Sequence, residues 1–371
     1  MKIMTVLGTR PEIIRLSLII SKFDLVAEHT LVHTGQNYEP ELDALFFSRL
    51  EIRAPDRHLD ARAKTSFGQI AKILAGVEAE ILCVRPDACL ILGDTNSGLS
   101  AMVAEKLGVP VFHMEAGNRC FDRRVPEEHN RKIIDHVSTW LLPYVENSRL
   151  NLLHEGISKE AIYVSGNPIF EVLQHYGKAI AASSILERLD IQERRFFLVT
   201  AHRAENVDVP ERLAGIVVAL NRLAERYEHP VIWSVHPRTR PRLSALGLPL
   251  HPAVRCCVPF DLFDFVRLEQ AAFCVLTDSG TVQEECCIFH VAAVTMRDTT
   301  ERPETVECGS NVLVGCDPDR IVTAVDAVTQ RLFDWTVPRE YLDPHVSEKV
   351  VRFVLGNTGR TPVGSAWAAS G

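Results

Sequence analysis

The stretch LTDSGTVQEE, residues 276–285, decides the reading. The apolar run AAFCVL enters it and CCIF leaves it. This pattern predicts a buried strand, a tight turn at Ser279-Gly280 and the start of a helix. Gly280 lets the backbone come close to a ligand. The helix N-terminal amides, aided by Ser279 and Thr281, form an anion site suited to a diphosphate. Glu285, a few residues on, is placed to hold a ribose through its hydroxyls. The competing reading is an ordinary strand-to-helix turn capped by a serine.

Working outward, the same strand-then-polar-turn unit recurs. Residues 196–200, 231–235, 254–258 and 292–296 read as strands. They run into Ala201-His202-Arg203-Ala204-Glu205-Asn206, His236-Pro237-Arg238, Pro259-Phe260-Asp261 and the stretch 297–303, RDTTERP. The first half repeats the theme. A strand over 3–7 meets Gly8-Thr9-Arg10-Pro11-Glu12, where Pro11 suits the first turn of a helix. A strand over 28–33 ends in Thr34-Gly35-Gln36-Asn37-Tyr38. Helices are expected over 41–50, 66–84 and 98–107, and strands over 88–92, 109–114 and 162–164. Alternating strands and helices predict a parallel sheet covered on both faces, with ligands at the carboxyl ends of the strands. Thr9-Arg10, Gln36, Asp94 and Glu115 all fall at that edge.

Arg10 and Arg15 lie near a helix start, where cations oppose the macrodipole and point to a bound anion; solvent-facing arginines are the alternative. The segment 118–130, NRCFDRRVPEEHN, places three arginines and three acids just after Glu115. It reads as part of a site or as a solvated, salt-bridged loop.

A length of 371 residues suggests two domains. Gly166-Asn167-Pro168 reads as a hinge between them. The expected division is 1–167, 168–345, a final helix over 346–358 returning to the first domain, and a disordered tail over 359–371. Hydrophobic residues make up 46% and charged residues 24%, a globular profile. The net charge of −8 argues against a nucleic-acid partner bound by bulk charge. The ten cysteines form no CxxC pair. Several, such as Cys83, Cys89 and Cys274, sit in apolar runs and read as buried free thiols of a reducing compartment. The N-terminus does not read as a signal peptide, and no apolar run is long enough to span a bilayer; the expected location is cytoplasmic.

Asp94, Glu115, the pair Glu127-Glu128 and His202 fall at or near strand ends. His202 can exchange a proton near neutral pH without perturbation. A carboxylate can do so if burial or a neighbouring acid raises its pKa. Taken singly, His202 also fits a structural histidine, and Asp94 a helix cap. There is no GxSxG, P-loop, GxGxxG or HExxH, so neither a nicotinamide nor a metal-dependent reading has a motif behind it.

Together the motifs GTRPE, HTGQNY, GDTNS, HMEAGNR, RVPEEHNR, AHRAEN, TDSGTVQEE and RDTTERPE resemble the non-hydrolysing UDP-N-acetylglucosamine 2-epimerases from about Met1 to the helix near Val350. The resemblance implies an α/β chain of two Rossmann-like domains with a cleft between them, the glycosyltransferase-B fold. It implies a cytoplasmic homodimer in polysaccharide biosynthesis, with a UDP-sugar substrate and no cofactor. It implies interconversion of UDP-N-acetylglucosamine and UDP-N-acetylmannosamine: a base removes the C2 proton, UDP leaves C1, and UDP re-adds after protonation on the other face. By motif match, Asp94, Glu115, Glu127 and His202 are the acid-base and leaving-group residues. Arg10, Arg15, Ser279, Gly280, Glu285 and Arg302 hold the UDP-sugar, and Gln36 and Arg203 match part of a second, regulatory site. AHRAEN replaces the commoner GHRREN, TDSGT replaces TDSGG, and the loop at GNRCFDRRVPEE is short. These departures resemble a branch that includes 2-epimerases making UDP-N-acetyl-L-fucosamine. That sugar and a hydrolysing form of the reaction are the alternatives.

Overall fold

The computed structural model describes residues 1–36, 46–330 and 334–362. Asn37 and Tyr38 of HTGQNY, the start of the helix expected over 41–50, and the tail from 363 on lie outside the described residues. Residues 46–49 are helical. The chain forms two compact units. One comprises Met1–Gln174 with Arg339–Gly371, the other His175–Pro338. These junctions fall after Gln174 and Pro338, where the sequence suggested 167 and 345. All but the last residue of the helix Ile169–His175 stays with the first unit, where Glu171 accepts hydrogen bonds from the Ser347 amide (2.7 Å) and from Lys22 (3.4 Å).

The first unit is a six-stranded parallel sheet of order β3-β2-β1-β4-β5-β6. Its strands are β1 Lys2–Leu7, β2 Glu28–His33, β3 Arg57–His58, β4 Ala88–Leu92, β5 Val111–Met114 and β6 Trp140–Leu142. The sequence ACLIL of β4 is buried throughout, as a strand covered by helices on both faces requires. Met4, Val6, Cys89, Ile91 and Val111 pack against Ile73, Val77 and Ile81 of the helix Ser66–Val84 on one side. The final helix, Val346–Asn357, lies against β5 and β6, with Phe353 stacked on Tyr163 (4.2 Å between centroids) and edge-on to Trp140.

The second unit repeats the design in the order β12-β11-β10-β7-β8-β9. The strands are β7 Phe197–Thr200, β8 Val231–Ser234, β9 Val254–Cys257, β10 Cys274–Thr277, β11 Ala293–Thr295 and β12 Asn311–Leu313. All neighbours are parallel. In each unit the strand order reverses once, between β1 and β4 in the first and between β7 and β10 in the second. Ligands of open α/β sheets bind outside the carboxyl ends of strands at such a reversal. The turns there are Gly8-Thr9 and Gly93-Asp94 in the first unit, and Ala201-His202 and Asp278-Ser279 in the second.

Several sequence expectations need correction. The strand expected over 162–164 exists only as a bridge between Leu141 and Ile162. Tyr163 and Ser165 do donate to Leu141 and Pro143, but Pro143 has no N–H to return the bond, so no ladder builds. The helix expected over 98–107 opens as a 3-10 turn, Asn96–Ser100, before the α-helix Ala101–Lys106. The short strands β3, β6 and β12 were not anticipated, because two- and three-residue strands carry no periodic signal. Cys83 is exposed, whereas Cys89 and Cys274 are buried as expected.

Candidate active site

At the reversal in the first unit, β1 runs into Thr9, the N-cap of the helix Arg10–Val26. Glu12 closes a capping box by accepting from the amides of Gly8 and Thr9, both at 2.7 Å. Its other oxygen accepts from Thr95 Oγ1 at 2.7 Å, which ties the turn after β1 to the turn after β4. Burial pushes the Glu12 carboxyl up to about 7, against the hydrogen bonds from Thr95, Gly8 and Thr9. Gly8 has no room for a side chain: a Cβ would lie 2.1 Å from Thr34 Oγ1 and 2.3 Å from Ser97 Oγ. Ser97 in turn donates to Gln36 Oε1 at 3.1 Å. Arg10 places its guanidinium 5.5 Å from the ring centre of Phe46.

The acids after β4 and β5 are each held by a buried arginine. Arg131, 3% exposed, donates Nε to Asp94 Oδ2 at 2.8 Å and Nη1 to Glu128 at 2.8 Å. Asp94 is therefore not a cap; that role falls to Thr95, which accepts from the Ser97 amide. Glu115 has left-handed backbone, φ 65°, which turns its side chain out of the end of β5. Its carboxylate lies 3.1 Å from Arg15 Nη1 and accepts from Asn118 at 3.2 Å. Arg15 is thus buried and paired rather than solvent-facing, and its guanidinium lies 5.8 Å from the Tyr144 ring centre. Beneath them His113 sits between Asp135 (2.8 Å) and the Gly93 carbonyl (3.0 Å), fixing the turn that carries Asp94.

Glu127 and Glu128 occupy the first turn of the helix Pro126–Val137 and part company there. Glu128 turns inward, 2% exposed, and accepts from the amides of Cys120 and Phe121. Burial alone would raise its pKa, but Cys120 and Arg131 hold it below the usual range. Glu127 is half-buried and is the more available of the two.

In the second unit, Asp278 emerges fully buried from β10. The amides of His202 and Arg203 both donate to its Oδ2 at 2.9 Å, and Asn206 Nδ2 donates at 3.1 Å. Its Oδ1 lies 3.1 Å from His202 Nδ1. Burial raises this carboxyl, but His202 and Arg203 outweigh it and leave it at about 2. The carboxylate thus fixes the orientation of the imidazole through Nδ1. The His202 side chain is 39% exposed.

The helix Gly280–Phe289 begins beside this dyad. A Cβ on Gly280 would lie 2.7 Å from Glu301 Oε1. Glu301 is clamped by Arg297 at 2.8 Å, with Arg203 at 3.6 Å. Ser279 is the N-cap residue, but its side chain makes no capping bond, so the competing reading of a serine-capped turn is not observed. Arg302 is buried and paired with fully buried Glu284. Glu285 is buried beside Glu269, whose carboxyl is pushed well up by burial and by Glu285.

The first unit therefore gathers Asp94, Glu115, Arg15, Arg10 and Gln36 along one edge, with Glu127 on the helix after it. The second gathers His202, Arg203, Ser279, Gly280, Glu285 and Arg302. Sequence reasoning missed Asp278, Arg131 and Glu12. Asp278 lies within TDSGT, and its position right after an apolar strand is the signal that could have found it. Among the described residues no group of three His, Cys, Asp or Glu side chains is placed to hold a metal ion. No described helix is long and apolar enough to cross a membrane.

Each unit is a Rossmann-like sheet of the glycosyltransferase-B fold with its own polar edge, carboxylates and arginines in the first and a carboxylate-backed histidine in the second, and the chain's relatives place it among enzymes acting on nucleotide sugars. The chain belongs to the UDP-N-acetylglucosamine 2-epimerase family, which matches residues 23–355, and is a UDP-sugar 2-epimerase. It is similar to UDP-N-acetylglucosamine 2-epimerase of Methanocaldococcus jannaschii, 39% identical over 95% of this chain and 99% of the relative. It is also similar to UDP-2,3-diacetamido-2,3-dideoxy-D-glucuronate 2-epimerase of Pseudomonas aeruginosa, 40% identical over 87% of this chain and 90% of the relative. The crystal structure of the Methanocaldococcus jannaschii UDP-GlcNAc 2-epimerase in complex with UDP-GlcNAc and UDP matches with a TM-score of 0.90, at 38% identity, over 96% of this chain and 100% of the other.

Proposed function

We propose that the protein interconverts UDP-N-acetylglucosamine and UDP-N-acetylmannosamine without hydrolysis. The observation that carries this reading is the Asp278–His202 pair beside the turn at Ser279-Gly280, together with the likeness to an enzyme solved with UDP-GlcNAc and UDP. In this account the second unit receives the UDP moiety. The amides at the start of the helix Gly280–Phe289 and Arg302 meet the diphosphate, and Glu285 meets the ribose. The acids of the first unit work on the sugar. Asp94, Glu115 and Glu127 supply the base that takes the C2 proton and the acid that returns one on the opposite face. Arg10 and Arg15 balance the charge of the substrate.

The reaction needs help at two points. Proton removal from C2 requires a base with access to that carbon, and departure of UDP from C1 requires stabilisation of the leaving oxygen. His202, once protonated, serves the second need, because Asp278 stabilises its cation. Gln36 and Arg203 form part of a regulatory nucleotide-sugar site. The protein acts in the cytoplasm, in polysaccharide biosynthesis, as a homodimer; the family resemblance supports these three points.

The second reading is the same chemistry on another UDP-2-acetamido sugar. The 40% identity to the diacetamido-glucuronate epimerase favours it. Incubation with each UDP-sugar in deuterated water separates the two: deuterium appears at C2 only of the sugar the enzyme accepts. Free N-acetylmannosamine among the products would instead indicate a hydrolysing enzyme.

A further inference from the structure

The helix Gly280–Phe289 is tied at two places to the next helix, Pro303–Glu307. Midway along it Glu284 pairs with Arg302, the N-cap of the second helix. Near its end the sulfurs of Cys287 and Cys308 lie 3.7 Å apart, in van der Waals contact. Cys287 is buried in the last turn of the first helix, and Cys308 is the half-buried C-cap of the second, next to exposed Gly309. A disulfide needs about 2.0 Å between sulfurs, so closure asks the two to approach by roughly 1.7 Å.

We propose that Cys287 and Cys308 form a reversible disulfide, a redox-sensitive modification site that staples the helix Gly280–Phe289 to the C-cap of the helix Pro303–Glu307. The division of labour follows from exposure. Cys308 is the thiol that an oxidant reaches, and Cys287 is the one that resolves the product. The electrostatics agree with this order. The hydrogen bond between the two sulfurs lowers the Cys308 thiol against the effect of burial and raises that of Cys287. Cys308 Sγ lies 3.4 Å from Ser310 Oγ, whose hydroxyl donates to the Thr305 carbonyl. Cys286, next in sequence but wholly buried and pushed well up by burial, has neither access nor a thiol partner this close.

With a small-molecule disulfide such as oxidised glutathione, the steps balance. Cys308 thiolate attacks one sulfur of the oxidant, the S–S bond breaks, and one glutathione thiolate leaves with the electron pair. Cys287 then loses its proton and attacks Cys308 Sγ, releasing the second glutathione. The two cysteines are oxidised to one disulfide and the oxidant is reduced to two thiols.

The test treats the whole reduced protein with oxidised glutathione, then counts thiols under denaturing conditions and maps peptides without reduction. The expected result is loss of two of the ten thiols, with a peptide joining Cys287 to Cys308 and complete reversal by dithiothreitol. In Cys287→Ser the attack should stop halfway, leaving one glutathione on Cys308; Cys308→Ser should lose neither thiol at a comparable rate. Amide hydrogen exchange in 303–310 should slow in the oxidised form. A bridge between other cysteines, or a stable glutathione adduct on Cys308 of the unmutated protein, overturns the proposal.

Discussion

One carboxylate of Asp278 fixes both the ring of His202, at 3.1 Å from Nδ1, and the turn that carries it, through the amides of His202 and Arg203 at 2.9 Å. The two residues are 76 apart in sequence, and they meet because β7 and β10 are neighbours in register, Thr200 opposite Thr277. His202→Asn should therefore lower turnover by about 10²–10⁴-fold while leaving the thermal midpoint little changed. Asp278→Asn should also cut turnover, on the order of 10²-fold, because it removes the negative charge that stabilises the imidazolium. Steady-state kinetics beside a melting curve check both; an unaltered rate in His202→Asn removes that residue from the mechanism.

The depressed pKa of Asp278 carries a stability consequence. It lies at about 2 in the folded chain, against an ordinary value of 3.8. A group depressed by folding stabilises the protein above its unfolded pKa and stops doing so as pH falls through its folded pKa. The contribution, on the order of 2 kcal/mol, should be present above about pH 4 and lost as pH falls from 4 to 2. Denaturant unfolding across that range should show a shallower slope in Asp278→Asn than in the unmutated protein.

Glu127 and Glu128 should separate cleanly. Glu128→Gln weakens a buried pair with Arg131 and should cost about 2–3 kcal/mol of stability. Glu127→Gln should leave the denaturation midpoint within about 0.5 kcal/mol and lower turnover by at least about 10²-fold. The opposite pattern would transfer the chemical role to Glu128.

Arg131 bridges Asp94 and Glu128. Arg131→Leu leaves Glu128 buried without its cation and should destabilise by about 3–5 kcal/mol. Arg131→Lys keeps the charge but cannot reach both acids with the fork geometry of a guanidinium. It should retain the fold and lose activity through misplacement of Asp94, seen as a fall in kcat larger than any rise in KM.

Gly280→Ala puts a methyl 2.7 Å from Glu301 Oε1, on a carboxylate whose other oxygen is held by Arg297 at 2.8 Å. Relief requires a shift costing about 1–3 kcal/mol, and the added methyl also keeps a diphosphate from approaching the helix amides. UDP affinity by calorimetry should fall by about 10-fold or more; unchanged affinity would place the diphosphate elsewhere.

How far the sequence carries this account depends on range. The strands Glu28–His33, Ala88–Leu92 and Cys274–Thr277 and the helix Ser66–Val84 can be read to the residue, because apolar runs and helical periodicity are local signals. The edge that collects Asp94 and Glu115 follows from the alternation alone. The arginine behind each acid does not. Arg131 reaches Asp94 across 37 residues and Arg15 reaches Glu115 across 100. Such pairings are set by sheet order, and the polar run 118–130 looks the same whether its arginines face solvent or the interior. Glu127 and Glu128 illustrate the point: adjacent residues on a helix point about 100° apart, and only the packing decides which one is buried.

The most direct test of the central claim is proton exchange at C2. The enzyme is incubated with UDP-N-acetylglucosamine in deuterated water and the sugar is followed by nuclear magnetic resonance. The account predicts deuterium at C2 in both the recovered substrate and the UDP-N-acetylmannosamine formed, with intact UDP-sugar linkage. Absence of exchange from every UDP-2-acetamido sugar offered, including the diacetamido-glucuronate, would contradict it.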